Sequence, residues 1–361
     1  MSLMRATTEL PEGELVGEYR IGRVLGNGAF GVTYMARKGE ESFAVKEYYP
    51  LVATRKNLDV VVKDPKNEYE FNWGLERFAQ EAELLKNFDH LNVVKIIEIV
   101  KANNTVYFSM PFIKGKTLTD WIAQHHQPPL EAIREIFVPL LEGLRHVHAK
   151  NIFHRDIKPA NIFIQENGNP ILLDFGSARY DMGRRSQQLT VVLTPHFAPP
   201  EQYHTMGPFT HAIDIYSVGA CIYNCLTGAP PIEATARFRD GGPDIYEKIA
   251  DNFALRGVYP FYFLEAVDKS LSYHYHQRFQ EAEEFIDALM GQSRAPRLLP
   301  PDPGPDPEPP TTIFSDPKKR PPSLAVFQNI ASLLAAVFFS LCAALGTLAL
   351  IFILAGQWDL L

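Results

Sequence analysis

Short runs of β-branched and aromatic residues dominate the first part of the chain. The segments YRIGRVL, GVTYMAR, SFAVKEYY and TVYFSM all have this composition, which predicts strands. The segment LERFAQEAELLKNF instead has apolar residues at helical spacing, and it lies between the third run and the fourth. This part of the chain is therefore predicted to form a small β-rich lobe that contains one helix.

Apolar residues at helical spacing dominate from residue 130 onward. In residues 130–149 one helix face carries the side chains of Ile133, Phe137, Leu140, Leu141 and Leu144. Pro139 lies inside this pattern and predicts a kink or a break, because proline lacks the N–H group and crowds the preceding turn. The pattern as a whole predicts an α+β fold with a larger helical lobe after the β-rich one.

The composition of the chain changes sharply near residue 295. Residues 294–323 are rich in proline without apolar periodicity, which predicts a semi-extended linker. Residues 330–356 contain no charged residue, and as a helix they would measure about 40 Å, enough to span a hydrocarbon core of about 30 Å. A buried core helix is the alternative, but such helices keep a polar edge. We predict a C-terminal transmembrane helix at residues 330–356, followed by a short non-cytoplasmic tail at residues 357–361.

The charges around this apolar segment predict its orientation. The basic triplet KKR at residues 318–320 precedes it, whereas Asp359 is the one charged residue after it. Because basic residues favour the cytoplasmic side, the chain up to about residue 320 is expected in the cytoplasm. The N-terminus has no apolar segment typical of a signal peptide. The expected location is the cell membrane, with a single pass.

The net charge and the cysteine content argue against several classes of protein. The 361 residues carry a formal net charge of −7, which argues against a protein that binds nucleic acid. The three cysteines show neither metal-ligand spacing nor a disulfide framework.

Small residues four apart in the apolar tail, such as Ser340 with Ala344, favour pairing of two such helices and hence a homodimer.

A predicted hairpin brings two candidate metal ligands together. The apolar runs IFI and ILL flank Asn167-Gly168, a dipeptide typical of two-residue type I′ turns. This register pairs residue 166 with 169 and residue 164 with 171, so that Asn161 lies opposite Asp174. An amide oxygen beside a carboxylate suits a hard divalent cation that is also held by phosphate.

The glycine-rich segment GNGAFG, at residues 26–31, lies between two predicted strands. The strand VTYMAR follows it, which argues against a dinucleotide-binding turn, because that motif opens a helix. A glycine loop in a hairpin can direct backbone N–H groups toward phosphates. The alternative is a plain glycine turn.

Lys46 ends the strand segment FAVK, where a buried lysine needs a partner. Glu81 can provide one, because it lies between Phe78 and Leu85 on the apolar face of the predicted helix. Such a pair would hold the lysine rigidly for contact with phosphate. The alternatives are a structural ion pair and a surface lysine whose ammonium reaches water.

These features, with HRDIKPAN at 154–161, DFG at 174–176 and TPHFAPPE at 194–201, resemble the signature of eukaryotic-type (Hanks-type) Ser/Thr protein kinases. The resemblance covers about residues 16–290, and Asp214 and Arg278 match two further anchors of the helical lobe, with Arg278 expected to pair with Glu201. KEYYP and APPEQY are similar to segments of bacterial membrane-anchored members. The resemblance implies a bilobal protein-kinase-like fold, protein substrates, and ATP with Mg²⁺ as cofactors, Mn²⁺ being the alternative metal.

The resemblance also implies a role for each matching residue. Asp156 would be the catalytic base, Lys158 would neutralise the γ-phosphate, and Asn161 and Asp174 would hold the metal. The ATP-binding residues would be Gly26, Gly28, Gly31, Thr33, Ala44, Lys46, Glu81, Met110, Pro111 and Ile113. Met110 would be the gatekeeper, and the Ile113 amide would donate to adenine, since Pro111 has no N–H.

Two positions depart from the family pattern. Thr33 replaces the valine of the glycine-loop signature, but it keeps the β-branched shape. About 35 residues separate Lys46 from Glu81, which is long for the family, so residues 51–73 are interpreted as an insertion.

By the same resemblance, Arg155 before the predicted base implies activation by phosphorylation of the activation loop. The candidate phosphosites are Thr190, which is the first choice, and Ser186, Ser177 and Thr194. Thr194 is expected to have a structural role beside Asp156 and Lys158 instead.

The sequence thus predicts a membrane-anchored serine/threonine protein kinase that transfers the γ-phosphate of ATP to Ser/Thr hydroxyls and autophosphorylates its activation loop. The alternative is a pseudokinase-like membrane scaffold that binds nucleotide without efficient transfer. The presence of Lys46, Asp156, Asn161 and Asp174 argues against the scaffold. A small-molecule kinase of related fold would usually lack TPHFAPPE and Asp214.

Overall fold

The computed structural model describes residues 8–28, 31–175, 194–203, 210–238 and 244–292, and the backbone of residues 179–180. The predicted linker (294–323), membrane span (330–356) and tail (357–361) lie outside these residues, as do Ser177, Ser186 and Thr190. Within the described residues no helix is both long enough and apolar enough to cross a bilayer. All described residues belong to one compact unit, which spans Met1–Ala295.

The first lobe is built on a six-stranded antiparallel sheet. Its strands are β1 (Leu15–Val16), β2 (Tyr19–Gly28), β3 (Gly31–Lys38), β4 (Glu41–Tyr48), β7 (Glu98–Ala102) and β8 (Thr105–Pro111). Their order in the sheet is β1-β2-β3-β4-β8-β7. Helix α1 (Glu68–Lys86) packs on this sheet, where the rings of Phe78 and Phe108 stack with 4.9 Å between centroids. The predicted β-rich lobe with one helix is confirmed.

The segment between β4 and α1 is a folded hairpin. Strands β5 (Ala53–Lys56) and β6 (Asp59–Val62) pair antiparallel, and the 3₁₀ turn Pro65–Asn67 leads from them into α1. A backbone bond of 2.8 Å from Val60 N–H to the Asn103 carbonyl ties the hairpin to the turn between β7 and β8. The sequence predicted an insertion over residues 51–73, but its last residues already belong to α1.

A buried ion pair anchors this hairpin to the sheet. Arg55 donates to Glu47 Oε2 at 2.7 Å, and the two side chains are 2% and 0% exposed. The hydroxyls of Tyr34 and Tyr107 donate to Glu47 Oε2 and Oε1 at 2.8 and 2.7 Å. Both carboxylate oxygens therefore have partners, which compensates the cost of removing this charge from water.

We expect Arg55→Met to lower the free energy of unfolding by about 3 kcal/mol, because the Glu47 carboxylate would stay buried without its cation. Urea denaturation followed by tryptophan fluorescence measures this change. The control is Lys95→Met, which removes an ion pair to Asp89 whose side chains are 55% and 89% exposed. Its effect should stay within about 0.5 kcal/mol. Equal losses in the two variants would contradict the anchoring role of Arg55.

Helices form the second, larger lobe. They are α2 (Leu118–Gln124), α3 (Leu130–His148), α4 (Ala212–Thr227), α5 (Phe253–Arg256), α6 (Phe261–Ser270) and α7 (Ala282–Leu289). The lobe also contains two small sheets, one of β9 (Gly115–Thr117), β11 (Ile162–Gln165) and β12 (Pro170–Leu172), the other of β10 (Ile152–Phe153) and β13 (Arg179–Tyr180). Its 3₁₀ turns are Pro159–Asn161, Pro200–Tyr203, Ala234–Ala236, Ile249–Asp251 and Tyr275–Gln277. The predicted bilobal architecture is confirmed.

Helix α3 confirms the predicted apolar face but not a break at Pro139. The face residues Ile133, Phe137, Leu140, Leu141 and Leu144 are all buried. The helix continues through Pro139 from Leu130 to His148. Buried side chains on both sides of the proline hold the two halves against the core, and this packing outweighs the lost hydrogen bond.

The register of the β11–β12 hairpin differs by one residue from the prediction. Ile164 pairs with Pro170 and Ile162 with Leu172, so the loop has three residues instead of two. Gly168 alone adopts a left-handed conformation, with φ of 88°. A single such glycine is typical of three-residue loops, whereas a type I′ turn needs two. Asn161 therefore lies opposite Leu173, and Asp174 follows as the next residue.

Candidate active site

The loop between β10 and β11 carries the predicted catalytic residues. Lys158 Nζ donates to Asp156 Oδ2 at 2.8 Å and to Thr194 Oγ1 at 3.0 Å. The Thr194 hydroxyl in turn donates to Asp156 Oδ1 at 2.7 Å. The Asn161 amide donates to Asp156 Oδ2 at 3.1 Å and to the Asp156 carbonyl at 2.8 Å. The structure thus brings the side chains of Lys158, Asn161 and Thr194 together around the Asp156 carboxylate.

The hydrogen bonds of Thr194 fit the structural role expected for it rather than a phosphorylation site. Its hydroxyl is hydrogen-bonded to both Asp156 and Lys158, which is the structural position expected from the resemblance. The remaining candidates, Thr190, Ser186 and Ser177, lie outside the described residues.

A buried carboxylate in α4 holds this loop. Asp214 accepts hydrogen bonds from the backbone N–H groups of His154 and Arg155 at 2.9 and 2.8 Å, and from His148 Nε2 at 2.9 Å. Burial alone would raise the pKa of Asp214, but the hydrogen bond and the charge of His148 lower it below its usual value. Arg155 has φ of 66°, a left-handed conformation that bulky residues adopt only when their surroundings impose it. The ionised Asp214 supplies that constraint.

His154 connects the same loop to the end of β12. Burial lowers the pKa of His154, which keeps the ring neutral. Its Nδ1 accepts from the Asp156 N–H at 3.3 Å, and its Nε2 lies 2.9 Å from the Leu173 carbonyl. A neutral imidazole can accept at one nitrogen and donate at the other, so His154 joins the base to the strand that leads to Asp174.

Lys46 is paired with Asp174 in this structure. Its ammonium lies 2.7 Å from Asp174 Oδ1, and Asp174 has a left-handed φ of 55°. Burial alone would lower the pKa of Lys46, but the carboxylates of Asp174 and Glu81 raise it. The expected ion pair between Lys46 and Glu81 is thus not formed here, because the Lys46 ammonium is paired with Asp174 instead. Glu81 lies close enough that its ionised form would also raise the pKa of Lys46.

Glu81 is buried on the face of α1 that points toward Lys46. Within the described residues its Oε1 has no hydrogen-bond partner, while the carboxyl accepts from the Phe175 backbone N–H. Burial raises the pKa of Glu81 to about 8, although the positive charge of Lys46 opposes this shift. Glu81 therefore holds a proton at neutral pH in this arrangement.

The shifted pKa of Glu81 predicts a stability that depends on pH. Because the folded-state pKa lies above the ordinary value of 4.5, the folded chain keeps a proton that the unfolded chain loses between about pH 4.5 and pH 8. Wild type should therefore lose stability over this range relative to Glu81→Gln, by up to about 1.4 kcal/mol per pH unit. Urea denaturation of both proteins at several pH values tests this. A difference that is constant with pH would contradict it.

The glycine-rich segment forms the tip of the β2–β3 hairpin, as predicted. Gly26 pairs with Thr33, and Gly28 pairs with Gly31, while residues 29–30 lie outside the described residues. A Cβ at Gly31 would lie 2.1 Å from the Glu47 carbonyl, so the close approach of β4 requires glycine there. A Cβ at Gly26 would meet no atom within 4 Å, and one at Gly28 would lie 3.7 Å from the Gly31 carbonyl oxygen, so neither glycine is required by close packing.

The predicted hinge follows β8. Ala44 pairs with Met110 across the two strands. The Phe112 N–H donates to the Ser42 carbonyl at 3.1 Å. Among the hydrogen bonds of the described residues none uses the Ile113 N–H, and Pro111 has no such group. The Ile113 N–H is thus available for the donor role that the resemblance implies.

The side chains of Asn161 and Asp174 suit a magnesium ion that is also bound by phosphate. The Asn161 nitrogen is turned toward Asp156, so its amide oxygen faces away from that carboxylate. In the part of the chain that the structure describes, no three His, Cys, Asp or Glu side chains converge as metal ligands. Mg²⁺ commonly takes one or two protein oxygens and completes its coordination with phosphate and water.

A second ion pair fixes the segment that follows Thr194. Arg278 donates to both oxygens of Glu201, at 2.6 and 3.0 Å, as the sequence predicted. Gln202 Nε2 donates to the Arg155 carbonyl at 3.0 Å and so joins this segment to the catalytic loop. The sequence motifs gave no role to Gln202. Its position directly after Glu201, within APPEQY, was the available signal.

Comparison with known proteins agrees with this geometry. The model of the family "Protein kinase domain" matches residues 19–299. The structure resembles a solved chain described as "PpkA-294 apo form", with a TM-score of 0.68 and 33% identity, covering 78% of this chain and 100% of that one. The chain belongs to the protein kinase family.

Curated relatives are named as serine/threonine kinases. Serine/threonine-protein kinase PknA of Nostoc sp. is 30% identical over 289 residues, which cover 76% of this chain and 47% of that protein. Serine/threonine-protein kinase C of Synechocystis sp. is 29% identical over 293 residues, covering 77% and 50%. The chain thus spans about half the length of these relatives.

Proposed function

We propose that this chain is an ATP-dependent serine/threonine protein kinase. The observation that carries the proposal is the Thr194 hydroxyl, which donates to Asp156 Oδ1 while Lys158 lies within 3.0 Å of both. The site therefore already holds a hydroxyl against a carboxylate acceptor, with a cation beside it. The names of the relatives support serine and threonine as acceptors.

The residues supply positioning and charge in the proposed reaction. A substrate hydroxyl donates its proton to Asp156 while its oxygen forms a bond to the γ-phosphorus, and the bond from that phosphorus to the β-phosphate oxygen breaks. Lys158 stabilises the charge on the transferred phosphoryl group. ADP is the leaving group.

Nucleotide binding would rearrange the Lys46 contact. Mg²⁺ held by Asn161 and Asp174 would neutralise charge on the β- and γ-phosphates. With Asp174 engaged in this way, Lys46 can contact phosphate and pair with Glu81, whose Oε1 has no partner among the described residues. Pairing with Lys46 would then favour the ionised form of Glu81.

We expect the purified full chain to gain phosphate on threonine or serine when it is incubated with Mg-ATP, and Asp156→Asn to reduce the rate at least about a thousandfold. Asparagine keeps the shape of the side chain but cannot accept the proton. Intact mass spectrometry, followed by peptide mapping, measures the gain and tests Thr190 as the first site.

The Asp156→Asn variant should still bind Mg-ATP, because Lys46 and Asp174 are unchanged. Nucleotide binding by wild type without any phosphate transfer to itself or to a general protein substrate would favour the scaffold alternative. Equal transfer by wild type and Asp156→Asn would contradict the assignment of the base.

We further propose that residues 330–356 anchor the kinase in the cell membrane, with the kinase domain cytoplasmic. The support is their uncharged, apolar composition and the basic triplet that precedes them. Pairing of two such segments as a homodimer would place one kinase domain near another and favour autophosphorylation.

Removal of residues 324–361 tests the anchor. We expect the full chain in the membrane pellet after cell fractionation and the shortened chain in the supernatant, because the apolar segment is lost. Extraction with detergent, but not with high salt, should release the full chain. A shortened chain that stays in the pellet would contradict this proposal.

A further inference from the structure

Helix α1 contains a glycine in its interior that helix formation does not explain. Gly74 lies between Glu68 and Lys86, and glycine is the least favourable residue inside a helix apart from proline. A Cβ at Gly74 would lie 2.1 Å from the Tyr48 hydroxyl oxygen and 3.0 Å from the ring carbon that carries it. The glycine is therefore required by contact with β4.

Tyr48 cannot move aside to make room for a larger residue. Its side chain is 4% exposed, and its ring packs against Phe71 and Phe78, with centroids 5.5 and 5.6 Å away. Its hydroxyl donates to the Phe71 carbonyl at 3.2 Å, and its own carbonyl accepts from Thr105 Oγ1 at 2.7 Å. Hydrogen bonds thus fix both the hydroxyl and the backbone carbonyl of Tyr48.

The Tyr48–Gly74 contact shares a sheet face with Lys46 and a helix face with Glu81. Lys46 and Tyr48 are two apart in β4 and thus face the same side of the sheet. Gly74 and Glu81 are seven apart in α1 and thus lie on one helix face. Phe78 lies between them on that face, and its ring is 5.9 Å from Lys46 Nζ. The position of Gly74 against Tyr48 therefore determines where Glu81 lies relative to Lys46.

The Lys46–Glu81 ion pair does not hold α1 in this structure, because Lys46 is paired with Asp174. Glu81 is nevertheless buried beside Lys46. Another contact must keep the helix in place, and Tyr48 against Gly74 is a direct one between β4 and α1.

We propose that Tyr48 and Gly74 are positioning residues that fix the register of α1 on β4 and so place Glu81 for its contact with Lys46. This inference rests on the proposed kinase activity, in which Lys46 binds the phosphates. It implies that α1 keeps its place before nucleotide and metal are bound.

A double-mutant cycle on the full chain tests the proposal. Gly74→Ala should raise the KM for ATP and lower kcat/KM about tenfold, because the added methyl displaces α1 from Tyr48. Tyr48→Phe alone should stay within about threefold of wild type. Adding Tyr48→Phe to Gly74→Ala should restore part of the loss, since the oxygen at 2.1 Å is removed while the ring carbon at 3.0 Å remains. A mere loss of folded protein would lower kcat without raising KM.

Asn72→Ala is the matched control, because Asn72 is exposed in the same turn of α1 and the change also favours helix. It should leave KM and kcat/KM unchanged. Wild-type kinetics in Gly74→Ala, or a loss that Tyr48→Phe does not reduce, would overturn the proposal.

Amide hydrogen exchange of α1 gives a readout that does not need phosphate transfer. Exchange should be faster in Gly74→Ala than in wild type, and the double variant should return toward the wild-type rate. If wild type transfers no phosphate, the proposed function fails, while the exchange data still decide whether Tyr48 and Gly74 fix α1. Unchanged exchange in Gly74→Ala would overturn the positioning role.

Discussion

The buried carboxylate of Asp214 is the interaction on which the catalytic loop depends. A charge without exposure to water is tolerated only when every oxygen finds donors, and here the donors are His148 and the backbone N–H groups of His154 and Arg155. Satisfying Asp214 therefore forces the backbone into the conformation that Arg155 adopts. That conformation directs Asp156 into the site. The apolar helix α4 is thus both the centre of the larger lobe and the support of its chemistry.

Strand β4 has the corresponding role in the smaller lobe. Its alternating side chains serve two purposes, because successive residues of a strand face opposite sides. Lys46 and Tyr48 face α1, whereas Glu47 binds Arg55 of the inserted hairpin. Three consecutive residues of β4 thereby contact both α1, which carries the proposed partner of Lys46, and the inserted hairpin that leads into α1.

Two carboxyl groups, those of Asp174 and Glu81, lie beside the Lys46 ammonium. Asp174 has the ion pair, and Glu81 is held neutral by burial. The energetic difference between the two arrangements is therefore set by charge, and phosphate and metal are the groups that would change it.

The sequence by itself determined the fold class and the order of the elements, and it named the candidate site residues, because apolar periodicity and closely spaced motifs are local properties of the chain. It predicted the glycine hairpin, the buried position of Glu81 and the Arg278–Glu201 pair. Tertiary structure alone decided three features. These are the one-residue shift in the β11–β12 register, the ion-pair partner of Lys46, and the close contact with Tyr48 that requires glycine at position 74. Each of these depends on the distance between elements far apart in the chain. Such distances follow from packing and from charge competition, and no local pattern encodes them.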